Sequence, residues 1–132
     1  MFGGTDNHMV LVDVFGSKGL TGKEAEIALD KVGITLNKNV IPDDSRSPFD
    51  PSGIRIGVPA VTTRGMKEKE IKMIAWWIKE VIENCDNNAI MKRVRKEVRN
   101  LCGKFPIYNR TYAFECSSRS KRGAPACRLG RE

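Results

Sequence analysis

The sequence predicts an α/β domain in which a short, mainly antiparallel sheet carries helices packed on one face. Three observations support this prediction. Short apolar runs at 9–14 and 53–58, rich in β-branched residues, are typical of strands. Stretches at 22–32, 67–83 and 88–102 place apolar residues at helical spacing. The chain of 132 residues is long enough for one such domain with a modest core.

The first half of the chain predicts a strand and a helix. The run from Met9 to Val14 is apolar enough for a strand that is buried on at least one face. Thr21 and Glu24 form a capping-box pattern, which predicts a helix that begins at Gly22. The apolar stripe of this helix consists of Ala25, Ala28, Leu29 and Val32. Gly33 can end the helix because glycine adopts the left-handed conformation without a steric clash.

Turns and loops connect these elements. Two glycines predict a turn at 15–19. The triplet at 34–36 predicts a short strand, and the segment 37–52, with three prolines, predicts a loop. An ordered loop of this length inside a small domain is more often functional than incidental. Residues 59–65 predict a turn or a short helix.

The second half predicts two amphipathic helices. The apolar side of the helix at 67–83 consists of Ile71, Ile74, Ala75, Ile78, Val81 and Ile82. The apolar side of the helix at 88–102 consists of Met91, Val94, Val98 and Leu101. The opposite face of this second helix is basic, and we expect it to be solvated.

Composition limits the classes of function. No apolar run approaches the roughly 18–20 residues that span a bilayer. Residues 1–6 lack the basic and apolar regions of a secretory signal, so we expect a cytoplasmic location. The four cysteines form no C-x-x-C pair and the chain has one histidine, so we expect no metal site.

The charge is distributed unevenly along the chain. The formal net charge is +7, and six basic but only two acidic residues lie in 109–132. This segment lacks apolar periodicity, so we expect a basic tail that is disordered or foreign to the domain. The domain itself is then expected to span 1–108.

The stretch S-G-I-R-I-G is the most informative part of the sequence. If it is a strand, alternation places Ile54 and Ile56 on one face. Gly53, Arg55 and Gly57 then share the other face, where the glycines leave room for a ligand. A guanidinium group matches a carboxylate or phosphate through two parallel hydrogen bonds. The alternative is a surface arginine on an edge strand.

A second candidate site combines N-K-N at 37–39 with S-P-F at 47–49. Side-chain amides can pair with the donor and acceptor edge of a flat heterocycle, and an aromatic ring can pack on its face. Loops are commonly rich in these residues, so the pattern is equally compatible with an ordinary loop.

Several segments occur in the order found in one enzyme family. They are G-G-T-D-N-H at 3–8, L-T-G-K-E-A-E at 20–26, G-I-T-L-N-K-N at 33–39, S-P-F-D-P-S-G-I-R-I-G at 47–57, P-A-V-T-T-R-G at 59–65 and K-F-P-I-Y at 104–108. The sequence therefore resembles serine hydroxymethyltransferase. The matching part is the C-terminal small domain of this enzyme, which belongs to the fold-type I pyridoxal-phosphate enzymes.

The resemblance implies a substrate, a co-substrate and a cofactor. The family converts serine and tetrahydrofolate to glycine and methylenetetrahydrofolate in one-carbon metabolism, uses pyridoxal phosphate and forms homodimers. Arg55 matches the arginine that holds the carboxylate of the amino-acid substrate. Asn39 matches an asparagine that contacts the pterin of the folate, and Ser47 and Phe49 match residues of the same folate region.

The chain departs from the family pattern in several places. Val58 replaces a threonine beside the arginine strand, and Asp43 and Ser45 stand where asparagine and proline are common. No segment resembles the T-T-T-H-K region that carries the cofactor lysine of the family. We therefore expect no catalytic and no cofactor-binding residue in this chain, and no activity of the chain by itself.

Two alternatives remain open. The helix at 88–102 and the tail could form a non-catalytic basic module that contacts the phosphates of a nucleic acid. The family role, by contrast, predicts neither a nucleic acid nor a membrane as a partner. The chain could also act as a scaffold or decoy that pairs with full-length subunits.

Overall fold

The computed structural model describes residues 5–107 of the chain. Its elements are, in order, β1 (Met9–Asp13), α1 (Phe15–Lys18), α2 (Gly22–Val32), β2 (Asn37–Asn39), β3 (Gly53–Gly57), α3 (Pro59–Thr63), α4 (Glu68–Glu83) and α5 (Asn88–Lys104). The predicted tail at 109–132 lies outside the described residues. Within them, no helix is both long enough and apolar enough to cross a bilayer.

The three strands form an antiparallel sheet with β3 in the centre. In its register, Arg55 of β3 lies opposite Leu11 of β1 and opposite Asn37 of β2. The residues that alternate with this row line the apolar space beneath the helices; they are Val10, Val12, Ile54 and Ile56. The predicted α/β class, with helices on one face of an antiparallel sheet, is therefore confirmed.

Helix α2 has the predicted bounds because both of its ends are capped. The Glu24 backbone N–H donates to the Thr21 hydroxyl at 3.2 Å, and the Thr21 N–H donates to the Glu24 carboxylate at 2.9 Å. Gly33 ends the helix with a φ of 86°. The apolar stripe of α2 is buried against β3, α4 and α5, so this helix lies at the centre of the core.

The prediction of a strand at 34–36 is wrong. The Ile34 N–H instead donates to the carbonyl of Leu29 at 3.0 Å as part of the helix end, and Leu36 is buried in the core. The strand forms one step later, at 37–39, where the sequence predicted a loop. Hydrogen bonds to β3 create this strand from polar residues that have little strand preference of their own.

The other predictions differ only in detail. The predicted turn at 15–19 is the short helix α1, whose start is held where the N–H groups of Val14 and Phe15 donate to the Ser52 carbonyl at 3.1 Å each. Residues 59–63 form the short helix that was one of the two predictions for that segment. Helix α5 continues two residues beyond its predicted end, to Lys104.

Candidate functional site

Arg55 lies on the open face of the sheet, in the middle of β3. Its side chain is exposed, whereas Ile54 is fully buried and Ile56 is half-buried on the opposite face. A side chain added at Gly57 would meet nothing nearer than the ring of Pro59 at 3.7 Å, so the surface is open on this side. The predicted alternation along β3 is confirmed.

The surface on the other side of Arg55 is closed. A Cβ atom at Gly53 would collide with the side chain of Ile41 and would lie 2.8 Å from the carbonyl oxygen of Asn39. Ile41 therefore covers the backbone of Gly53, which is buried. The sequence predicted open space on both sides of the arginine, and the structure provides it only at Gly57.

Arg55 has no ion-pair partner among residues 5–107. The ion pairs found there join Lys18 to Glu83, Arg46 to Asp50 and Arg93 to Glu80. Asp13, which shares the open face, instead accepts a hydrogen bond from the N–H of Gly16 at 2.8 Å. The guanidinium group is thus available to bind an external anion.

Asn37 and Asn39 are the polar neighbours of Arg55 on β2. Asn37 lies opposite Arg55, and Asn39 lies opposite Gly53, so both side chains share the open face. Cβ atoms of opposed residues are about 5 Å apart and those of diagonal neighbours about 7–8 Å, so both amides can reach a ligand held by Arg55. The Asn39 amide donates to the carbonyl of Val40 at 2.8 Å. The sequence placed Asn37 in the N-K-N candidate site but not beside Arg55, because the strand at 37–39 was not recognised.

Ser47 and Phe49 lie in the connection between β2 and β3, residues 40–52. Phe49 is 85% exposed, which is unusual for a large aromatic residue. Its N–H lies 3.4 Å from the hydroxyl of Ser47, and its carbonyl accepts from the ammonium group of Lys38 at 3.1 Å. Lys38 therefore ties this part of the loop to β2, at the end of the sheet that carries Asn39.

Asp44 organises the same loop, and the sequence did not reveal it. Its carboxylate accepts from the hydroxyl of Ser52 at 2.7 Å, the N–H of Ser52 at 3.0 Å and the N–H of Arg46 at 3.0 Å. These hydrogen bonds, with the backbone of Ser52 as the largest cause, lower the pKa of Asp44 to about 2. The adjacent Asp43 adopts a left-handed φ of 58°, which aspartate tolerates as asparagine does.

Arg46 contacts both the loop and α1. Its guanidinium group lies 4.6 Å from the centre of the Phe15 ring, and its Nε donates to the carbonyl of Asp50 at 3.1 Å. The hydrogen bond from Arg46 is also the main cause that lowers the pKa of the Asp50 carboxyl group. Arg46 is thus engaged by the loop and by α1, and Arg55 is the cation that the three described strands carry on the open face.

Residues 5–107 define a small α/β domain with one open, arginine-bearing sheet face. A sequence model of the family described as serine hydroxymethyltransferase matches residues 1–78. The chain is 55% identical over 106 residues to the serine hydroxymethyltransferase of Pseudoalteromonas atlantica, and equally so to that of Acidobacterium capsulatum. Each alignment covers 80% of this chain and 25% of the relative.

The chain belongs to the serine hydroxymethyltransferase family, as the order of the segments that resemble this family predicted. It spans about a quarter of the length of the curated relatives it matches. The part matched by the family model includes Arg55, Asn39, Ser47 and Phe49.

Proposed function

We propose that residues 5–107 form the part of a serine hydroxymethyltransferase that binds the substrate carboxylate and a portion of the folate. The complete reaction transfers a one-carbon unit from serine to tetrahydrofolate and leaves glycine. Arg55 is the observation that carries this proposal. It lies on an open sheet face between Leu11 and Asn37, and no described residue neutralises its charge.

Arg55 would hold serine or glycine by the carboxylate. Two parallel hydrogen bonds fix the orientation of the carboxylate as well as its position. Arginine remains charged throughout the physiological pH range, so this binding needs no proton transfer. Gly57 leaves the approach open on one side, and the exposed Leu11 provides an apolar wall from β1.

Asn39, Ser47 and Phe49 would contact the pterin of tetrahydrofolate. The amide of Asn39 offers a donor and an acceptor, and the exposed ring of Phe49 offers a flat apolar surface. All three residues lie in β2 or in the connection that follows it, at one end of the sheet. A pterin bound to Asn39 would lie near Arg55, because Asn39 and Arg55 are diagonal neighbours on the open face.

Pyridoxal phosphate, which family membership implies, does not fit the described residues. In the family the cofactor is bound through a lysine, and no suitable lysine lies beside Arg55. Lys18 pairs with Glu83 at 2.9 Å, and Lys38 alternates with the asparagines of β2, so that it lies on the opposite face. We therefore assign substrate binding, and no step on the cofactor, to residues 5–107.

A polypeptide of these 132 residues alone is accordingly expected to be inactive. Purified chain supplied with pyridoxal phosphate, tetrahydrofolate and serine should form no glycine above a protein-free control. Turnover is the measurement that decides, because free pyridoxal phosphate can modify any exposed lysine. Glycine formation above the control would show that the chain contains a catalytic site of its own.

The role of Arg55 can be tested in an active enzyme. Residues 5–107 would replace the matching region of the Pseudoalteromonas atlantica relative, with and without Arg55→Lys. Lysine keeps the charge but loses the two-pronged contact, so kcat/KM for serine should fall by about 10- to 100-fold. Arg99→Lys, on the exposed face of α5, is the matched control and should leave kcat/KM unchanged. Equal values for the two variants would contradict the assignment.

A further inference from the structure

Helix α5 carries the most concentrated charge of the described residues. Its 17 residues include six basic side chains and one acidic side chain. The basic residues are Lys92, Arg93, Arg95, Lys96, Arg99 and Lys104, and all of them are exposed. The acidic residue, Glu97, is half-buried.

The fold determines which side of α5 carries the basic residues. The apolar stripe of α5 is buried against the core, so the opposite side of the helix must face outward. Lys92, Lys96 and Arg99 follow one another at i, i+4 and i+7 along that side, and we call these three residues the basic face. The basic face extends for about 10 Å along the helix axis, at 1.5 Å per residue.

An exposed tryptophan of α4 lies beside α5, in contact with the basic residue that follows Lys92. Trp76 of α4 is 54% exposed, and the guanidinium group of Arg93 lies 5.7 Å from the centre of its ring. Arg93 also pairs with Glu80, so the carboxylate of Glu80 is neutralised. Lys72 and Lys69 are exposed one turn and two turns, respectively, before Trp76 on α4.

We propose that the basic face of α5, together with Trp76, binds single-stranded nucleic acid. Basic side chains neutralise the phosphates of a strand, and an exposed aromatic ring stacks on an unpaired base. An exposed ring favours a single strand over a duplex, since bases within a duplex cannot stack on it. A lipid surface fits less well because the apolar side of α5 is already buried in the core and cannot insert.

This proposal does not depend on the proposed substrate site. The sequence predicted no nucleic-acid partner for the family role, but it left open the alternative that this helix and the tail contact phosphates. The structure adds the tryptophan, which comes from a different helix and which the sequence did not connect with α5.

Fluorescence anisotropy with a labelled oligo(U) of about 12 nucleotides tests the phosphate contacts. The full chain is compared with Lys92→Gln/Lys96→Gln and with the control Lys23→Gln/Lys31→Gln on α2. Each pair removes two exposed charges, and both variants keep residues 108–132. Loss of two contacts should make the slope of log affinity against log salt shallower by about 1.4 in the first pair only. Equal slopes in the two pairs would overturn the proposal.

Substitution of the tryptophan tests base stacking. Trp76→Ala should weaken oligo(U) binding by about 5- to 100-fold without changing the salt slope. Ile27→Ala removes another exposed apolar side chain, on α2, and should have no effect. The proposal fails if both variants bind equally well, or if phosphatidylglycerol vesicles bind with the same dependence on Lys92 and Lys96 while oligo(U) does not.

Discussion

At the scale of single residues, Ser52 links three parts of the domain. Its hydroxyl and N–H both donate to Asp44 in the loop, and its carbonyl accepts from the N–H groups of Val14 and Phe15. Ser52 directly precedes β3, so these contacts hold the loop with Phe49 against the strand that carries Arg55. The position of the candidate folate residues thus depends on a buried serine that is not itself one of them.

Replacement of this serine should have a measurable cost. Ser52 is 4% exposed, so Ser52→Ala removes a buried hydrogen bond to a charged acceptor and should lower the free energy of unfolding by about 1–3 kcal/mol. Urea denaturation followed by circular dichroism measures this change. Ser45→Ala, at an exposed position of the same loop, is the control. Similar losses in both variants would show that the contact with Asp44 is unimportant.

Asp44 predicts a dependence of stability on pH. Its pKa of about 2 in the folded state lies below the ordinary value of 3.8, so folding favours the ionised carboxylate. The resulting stabilisation is complete above the unfolded pKa and is lost as the pH falls from about 4 towards 2. The urea midpoint should therefore decrease less steeply over this range in Asp44→Asn than in the unmodified chain. Parallel profiles would assign the acid sensitivity to other groups.

At the scale of elements, the structure that depends on neighbouring residues was predicted better than the structure that depends on distant contacts. Helix α2 was predicted to the residue because its capping box and Gly33 act within a few positions. The strand at 37–39 was missed because only its pairing with β3 defines it. The same distinction applies to the site. The alternation along β3 predicted which face of the sheet carries Arg55. The contacts of Ile41 and Asp44 join residues far apart in the sequence, so no local pattern predicts them.

Two glycines in helices should respond oppositely to alanine. A Cβ at Gly22, the first residue of α2, would collide with the backbone carbonyl of Gly53 and approach that of Pro51, so Gly22→Ala should destabilise by about 1–3 kcal/mol. Gly103 in α5 has open space around it, so Gly103→Ala should stabilise by about 0.5–1 kcal/mol. Thermal unfolding of the two variants checks both signs. A stabilised Gly22→Ala variant would mean that α2 and β3 are not in close contact.

At the scale of the whole molecule, α2 connects the sheet to the long helices. It contacts β2, β3, α4 and α5, and its Leu29 is completely buried among them. The core therefore depends on one central helix, and damage to its buried side should affect every element together.

Substitutions on the two sides of α2 test this dependence. Leu29→Ala leaves a cavity and should cost about 2–5 kcal/mol, a large share of the roughly 5–15 kcal/mol that stabilises a domain of this size. Ile27 lies on the opposite side of the same helix and is 48% exposed, so Ile27→Ala should change stability far less. Urea denaturation should show one cooperative transition in both variants. Separate transitions for sheet and helices would show that they unfold independently.

The alternation of polar and apolar residues along β3 also disfavours a shifted register of the sheet. A slip of β3 by one residue would turn Arg55 inward beneath the helices and expose Ile54 and Ile56 to water. Burial of a lone guanidinium group is strongly unfavourable, so a misaligned sheet could not persist. The side chain proposed to hold the substrate therefore also favours the correct alignment of the strands, because any one-residue shift would bury its charge.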